Sequence, residues 1–321
     1  MLSPTEMSRV NLIDVTRSIL ARAGYDVSQA LNLRRICFDI VARRGDALLI
    51  VKVLNNVDAF TRENAEEMKI LAEALGASPL LVGVKSSSGP LEPGIVYSRF
   101  NVPITSNETL AEHLLEESPP FIFAAPGGLY VRLDGDLLRE IREKGGVSLG
   151  TLAEVAGVSR RSIQMYEAGM GAMIDAALRL EEYLGLPIIE PVDPFRYVPE
   201  REGRRYELSG EDRTGQATLD KLLDIGYSVT PVTRSPFEAL SRDGQIIILT
   251  GLGDDEGRIM QKAEIASSIS RLSGKRSVII VDRERAVETA RSTAVITKVE
   301  LGRIDDKKDL TDLVYSRSCP D

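Results

Sequence analysis

The strongest constraint on how this 321-residue chain folds is that its two ends repeat one another around a central insert. Gly24-Tyr25-Asp26-Val27 returns as Gly226-Tyr227-Ser228-Val229. Cys37-Phe38-Asp39, Arg43-Arg44-Gly45 and the apolar run Ala47 to Val51 return in the same order as Pro236-Phe237-Glu238, Arg242-Asp243-Gly244 and Ile246 to Thr250. A charged helical stretch follows each run, Thr61 to Leu75 and Glu256 to Leu272, and then a buried-strand pattern, Pro79 to Val84 and Arg276 to Val281. A further extended segment closes each copy, Gly94 to Thr105 and Ala294 to Leu301, before a last helix. Self-similarity of this kind predicts two similar, duplicated α/β domains. Stretches rich in Pro and Gly, 118–128 and 187–199, read as linkers. The expected domains are therefore residues 1–125, 130–190 and 200–321, in keeping with a length that exceeds one ordinary domain.

Composition narrows the function. With 43% apolar and 27% charged residues the chain belongs with globular proteins. No tract approaches the length of a membrane span, and Glu6, Arg9 and Asp14 interrupt the first apolar residues, so neither a signal peptide nor a membrane partner is expected and a cytoplasmic location is. Cys37 and Cys319 are far apart and read as free thiols, and the only histidine, His113, reads as a surface residue of a polar helix. Ser-His-Asp or Cys-His chemistry has nothing to work with, and no metal or other cofactor is expected. The net charge of −8 opposes non-specific coating of nucleic acid, so any DNA binding must come from a local patch.

The insert predicts an all-α domain of four to five helices. Asp136 is placed to cap the first, with Leu137, Leu138 and Ile141 as its apolar stripe. Ser148 precedes the second, whose inward face is Leu149, Leu152, Ala153 and Ala156, and Gly157 ends it. Ser159 caps the third, in which Ile163 and Tyr166 recur at core spacing. Ile174, Ala177, Leu178 and Leu184 form the packing face of the fourth. Two helices crossing steeply need a small residue at their approach, Ala153, and a strain-free turn residue, Gly157, while Leu152, Val158, Ile163 and Tyr166 pin one helix on the other.

The run Val158 to Gly169 resembles the recognition-helix segment of the Cro and phage-repressor class of helix-turn-helix domains, over about residues 132–187. The three-part layout resembles a family of archaeal helix-turn-helix transcriptional regulators. The resemblance implies a recognition helix at about 159–168 in the major groove of double-stranded DNA, with the protein acting as a homodimer on a pseudo-palindromic operator. It places Arg160 and Arg161 at the first two base-reading positions, and Ser162, Gln164 and Met165 at or beside positions that touch bases or phosphates; the helix-start serines Ser148 and Ser159 join the DNA-facing set. Arginine suits the task, because it grips guanine O6 and N7 with two hydrogen bonds. The resemblance also implies an ion pair between Arg142 and Glu167 that orients the recognition helix. One position departs from it: Leu149 stands where the class often has a glutamine on the DNA backbone. Residues 132–185 carry seven Lys or Arg against nine Asp or Glu, and Arg196, Arg201, Arg204 and Arg205 beyond them form either a basic arm or a solvated linker.

The element order of the flanking pieces resembles the restriction-endonuclease-like superfamily, whose active members hold a divalent metal between an Asp and a Glu-x-Lys. Asp39 and Lys52 stand at plausible positions, but the residue two before the lysine is Ile50. The second copy keeps Glu238 and reads Leu249-Thr250-Gly251, without the lysine. The expectation is therefore a regulator and not an enzyme. A metal-dependent nuclease and an antitoxin-like protein that binds DNA with a partner remain the alternatives, and the sequence names no small-molecule effector.

Overall fold

A computed structural model describes residues 8–30, 36–196, 213–244, 246–253, 256–283 and 286–318. Its first third runs α1 (Arg9–Arg22), β1 (Asp26–Val27), β2 (Ile40–Arg44), β3 (Ala47–Asn56), α2 (Arg62–Leu75), β4 (Ser78–Ser86), β5 (Gly89–Pro90), β6 (Ile95–Arg99), β7 (Val102–Thr105) and α3 (Asn107–Leu115). The middle runs β8 (Ile122–Ala125), β9 (Gly128–Leu133), α4 (Gly135–Lys144), α5 (Leu149–Ala156), α6 (Arg160–Glu167), β10 (Ala172–Met173), α7 (Ile174–Leu184) and β11 (Ile189–Glu190). The last third runs α8 (Arg213–Asp224), β12 (Ser228–Pro231), β13 (Ala239–Asp243), β14 (Ile246–Gly253), α9 (Glu256–Ser273), β15 (Arg276–Val281), β16 (Thr289–Ala290), β17 (Thr293–Thr297), α10 (Lys298–Gly302) and α11 (Lys307–Arg317). The fold class is mixed α/β with a helical centre. Among the described residues no helix is long and apolar enough to cross a membrane.

These residues fall into two compact units. One draws on positions within Met1–Ala23, Leu54–Ala59 and Leu80–Tyr197, the other on positions within Gly24–Val53, Phe60–Pro79 and Val198–Asp321. In the first unit β4 runs parallel to β7, β7 antiparallel to β6, and β6 parallel to β8. The segment 118–128, expected as a linker, instead supplies β8, which turns back on β9. Strand β9 then carries β10 on Val131 and Tyr130 and β11 on Leu133 and Arg132. The central region is therefore not all-α: its four helices are bound to a small antiparallel sheet. Such two-residue strands are set by the backbone groups of β9 that need partners, which leaves no periodic signature in sequence. In the same unit α1 packs on α3, where the buried Thr16 hydroxyl donates to Asn107 Oδ1 at 2.9 Å. His113, on α3, is half-buried with its ring 5.3 Å from that of Phe195, and so is not the surface residue expected.

In the second unit β14, β15 and β17 are parallel and β12, β13 and β16 add antiparallel edges. A parallel sheet covered on both faces reads as an unbroken apolar run, and Val278 to Val281 is one. Val278 and Ile280 join a core with Leu222, Ile225, Leu301 and Leu310, while Ile279 and Val281 meet Ile259 and Ala263 of α9. The segment Ala294 to Leu301, expected to be extended, is strand only to Thr297 and then turns into α10.

Strands β1, β2 and β3 pair as β12, β13 and β14 do: Ile40 faces Val51, and Ala239 faces Thr250. Gly24 and Gly226 enter the first strand of each set at φ +83° and +102°, a conformation that favours glycine. Residues of both α/β pieces meet inside this unit. Cys37 N–H donates to Arg234 O at 2.7 Å, the Glu67 carboxylate accepts from Arg234 N–H and from the Thr233 hydroxyl, and Arg43 donates to Leu272 O near the C-terminus of α9 at 2.8 Å. Cys37 is a buried free thiol, and burial pushes its pKa well above the usual thiol range. Cys319 lies outside the described residues.

Thr297 and Glu300 form a capping box at α10, and Arg317 donates to Glu300 Oε1 at 2.7 Å. The Arg317 hydrogen bond first, and then those from Thr297, hold the Glu300 carboxyl at about 2, down from 4.5. A depressed folded-state value stabilises the protein above the unfolded value and loses that contribution as pH falls toward the folded one. Denaturation midpoints of the chain should therefore fall between pH 4.5 and about 2, and in Glu300→Gln this part of the pH dependence should be missing. Equal pH profiles for the two proteins would refute the assignment.

Candidate nucleic-acid interface

Each helix of the central region starts and stops where local chemistry dictates. Asp134 caps α4, its Oδ1 accepting from Leu137 N–H at 2.9 Å, so the cap is two residues earlier than the expected Asp136, which is exposed. Ser148 Oγ accepts from Thr151 N–H at 3.1 Å to start α5, and Gly157 at φ +71° ends it. Ser159 Oγ accepts from Ser162 N–H at 3.0 Å to start α6. An apolar core of Leu138, Leu152, Ala153, Ala156, Ile163, Tyr166, Ala176, Ala177 and Leu180 joins α4, α5, α6 and α7 to Val131 and Leu133 of β9, with Val158 packed at its edge. Leu178, expected on the packing face of α7, is 51% exposed. The alanines at 176 and 177 make the close contact, which turns residue 178 about 100° away.

Ile163 and Tyr166 face inward, so α6 presents its opposite side to solvent. Arg160, Arg161, Gln164 and Met165 are all exposed there, with Ser148 and Ser159 exposed at the two helix starts. Ser162 is half-buried and its hydroxyl lies 2.9 Å from Ser159 Oγ, which makes it part of the cap. The Arg160 guanidinium lies across Gly150 of α5: a Cβ there would stand 3.1 Å from Arg160 Nε and Nη2. Arg160 is thereby pre-positioned against α5.

The orientation of α6 is fixed from α4. Arg142 donates from Nε to Glu167 Oε1 at 2.5 Å and from Nη2 to Oε2 at 3.1 Å, a forked pair. The Glu167 side chain is only 5% exposed. Its hydrogen bonds raise the Arg142 pKa above its ordinary value. Arg139 adds a second cation, with Nε 3.5 Å from Oε2 and Nη2 donating to the Glu167 carbonyl at 3.3 Å. Sequence reasoning missed Arg139, although its spacing of three from Arg142 puts both on one helix face.

Gly135 lets this junction close. A Cβ at Gly135 would stand 2.7 Å from the carbonyl oxygens of Tyr166 and Glu167, which are backbone atoms that cannot rotate away. At an open helical position Gly→Ala stabilises by up to ~1 kcal/mol. Here Gly135→Ala should reverse sign and cost about 1–3 kcal/mol, as overpacking does. Faster amide hydrogen exchange in α6 would register the loss, and unchanged exchange would contradict it.

Among basic residues beyond the helices, Arg196 is exposed, and Arg201, Arg204 and Arg205 lie outside the described residues. A pair of short helices joined by a tight turn, a shared apolar core and an exposed, arginine-bearing second helix define the helix-turn-helix class. Residues 138–190 match a family model described as helix-turn-helix, and residues 9–120 one described as a PD-(D/E)XK superfamily domain.

Whole-chain relatives extend the match. A protein of Methanocella arvoryzae is 40% identical over 316 residues, covering 97% of each chain. One of Natronomonas pharaonis is 38% identical, covering 97% of this chain and 99% of its own, and one of Thermococcus gammatolerans is 37% identical, covering 96% of each. All three bear the name "Putative HTH-type transcriptional regulatory protein". No solved structure matches. This chain belongs to that archaeal family of HTH-type transcriptional regulatory proteins.

The PD-(D/E)XK match raises the divalent metal that active members of the superfamily hold. The residues present do not fit one. Ile50 fills the place of the second carboxylate and is fully buried, and Asp39 already has Lys52 Nζ 3.3 Å from Oδ1 and Val53 N–H 2.8 Å from Oδ2. Among the described residues no three His, Cys, Asp or Glu side chains gather as a metal site would require.

Proposed function

We propose that this protein is a sequence-specific DNA-binding regulator of transcription that lays α6 in the major groove. The observation that carries this reading is the exposed row Arg160, Arg161, Gln164 and Met165 on a helix whose other face is locked by Ile163, Tyr166 and the Arg142–Glu167 pair. A helix used only for packing has no need of consecutive exposed arginines. The names of the relatives agree with it.

With seven basic against nine acidic residues in 132–185, non-specific attraction to phosphate is weak. Useful affinity then needs two copies, and a homodimer on a pseudo-palindrome with half-sites about one helical turn, ~34 Å, apart is the arrangement proposed. The two α/β pieces are proposed to be duplicates that supply a scaffold, with support from the matched strand registers of β1–β3 and β12–β14. No catalysis is assigned to them. Supercoiled plasmid should stay intact with the protein under Mg²⁺ or Mn²⁺, and nicking that Asp39→Ala abolishes would restore the nuclease reading.

The test of function is selection of duplexes from a random pool by the full-length protein at moderate salt. Enrichment of a motif with two related half-sites is expected. A pool that stays random would overturn the proposal.

A further inference from the structure

Both α/β pieces hold an acidic side chain at the same place and satisfy it in the same way, with lysines that come from different elements. Asp39 Oδ2 accepts from Val53 N–H at 2.8 Å, and Glu238 Oε2 accepts from Leu252 N–H at 2.6 Å. Donor and acceptor are displaced along the chain by the same interval, so the two carboxylates are register mates. In each case the other oxygen meets an ammonium. Lys52 Nζ lies 3.3 Å from Asp39 Oδ1 and 2.6 Å from Ile36 O, while Lys262 Nζ bonds Glu238 Oε1 and lies 2.6 Å from Leu252 O.

The two lysines are not register mates. Lys52 is on β3, and the matching position in the second piece is Gly251, whose Cβ, were there one, would stand 3.9 Å from Glu238 Oε2. The charge missing there is delivered by Lys262, from the helix α9. One electrostatic arrangement is thus built twice from unrelated positions, which marks the arrangement itself as what the fold requires.

We infer that in both pieces a lysine ammonium permanently takes the cation position beside the acid, so that the restriction-endonuclease-like framework is held together without a divalent metal and does not accept one. Asp39 is 1% exposed, and a carboxylate so far from water needs a positive partner. A divalent ion such as Mg²⁺ needs about six oxygen ligands. The acid at each site offers oxygens already engaged by a strand N–H and an ammonium, and Ile50 and Leu249 are both buried where a second carboxylate would stand. The lysine costs nothing in metal supply, and it leaves the carboxylate free to clamp the strand N–H of Val53 or Leu252.

Thermal unfolding and Mn²⁺ uptake by electron paramagnetic resonance test this on the full-length protein. The midpoint should be the same in chelator, Mg²⁺ and Mn²⁺, with no stoichiometric Mn²⁺ uptake. Lys52→Met should lower it by several degrees, and adding Asp39→Asn in the same chain should regain most of the loss, because the uncompensated charge is gone. Lys262→Met, at a pair 26% and 36% exposed, provides the same comparison with Glu238→Gln if Lys52→Met does not fold. Stoichiometric Mn²⁺ uptake that Asp39→Asn or Glu238→Gln abolishes would overturn the inference. So would lysine variants as stable as the unmodified protein, or double variants no more stable than the single ones.

Discussion

Replacing Arg142 with alanine is expected to raise amide hydrogen exchange in α6 by roughly 30- to 150-fold, the equivalent of about 2–3 kcal/mol. Breaking a buried pair by removing one partner costs about 3–5 kcal/mol, because the remaining charge is left in a poorly solvated place. Glu167, with a side chain 5% exposed, is that charge. The cost falls below the full range because Arg139 keeps a weaker contact with the same carboxylate, at 3.5 Å. Arg142→Lys should fall between, since an ammonium keeps the charge and loses the fork. Exchange rates of α6 in Arg142→Ala that match the unmodified protein would show that the pair does not orient the helix. The readout is local because Arg142 and Glu167 both lie in one of the two compact units, so exchange in α6 reports the pair directly.

Arg161→Ala should relax base preference at one position of each half-site by about 1–3 kcal/mol, up to ~150-fold in discrimination, while binding elsewhere in the site keeps its pattern. Arg160→Ala tests a different geometry. Its guanidinium lies over Gly150, near the start of α5 where Leu149 offers no polar contact to the DNA backbone. Should Arg160 reach a base from there, its variant also loses preference at one base pair. Affinity lost evenly over all sequences, with a shallower dependence on salt, would make it a phosphate contact. Competition binding of both variants against single-substitution duplexes separates these outcomes.

The helix-turn-helix was legible in sequence because its boundaries are local. Ser148, Gly157 and Ser159 each act within one turn of themselves, and in the fold they start α5, end α5 and start α6. Where two residues could do one local task, sequence chose less well. Asp134 and Asp136 flank Gly135, and the cap falls to Asp134 because Gly135 must sit inside the helix, against the carbonyls of Tyr166 and Glu167. Leu178 went wrong for a related reason: an apolar residue next to a small one reads as core, although the small one makes the contact. The two-residue strands β10 and β11 left no pattern because they exist to satisfy β9, a partner that sequence spacing does not reveal. Lys262 was invisible for the same reason, being brought to Glu238 only by the packing of α9 on β14.

Dimethyl sulfate footprinting of the selected duplex reports directly on α6 in the major groove, because it reads guanine N7 there. The full-length protein should protect guanines in both half-sites, and Arg161→Ala should lose protection of one guanine per half-site. Full reactivity of every major-groove N7 in a saturated complex, or a pattern that Arg161→Ala leaves unchanged, would contradict that placement of α6.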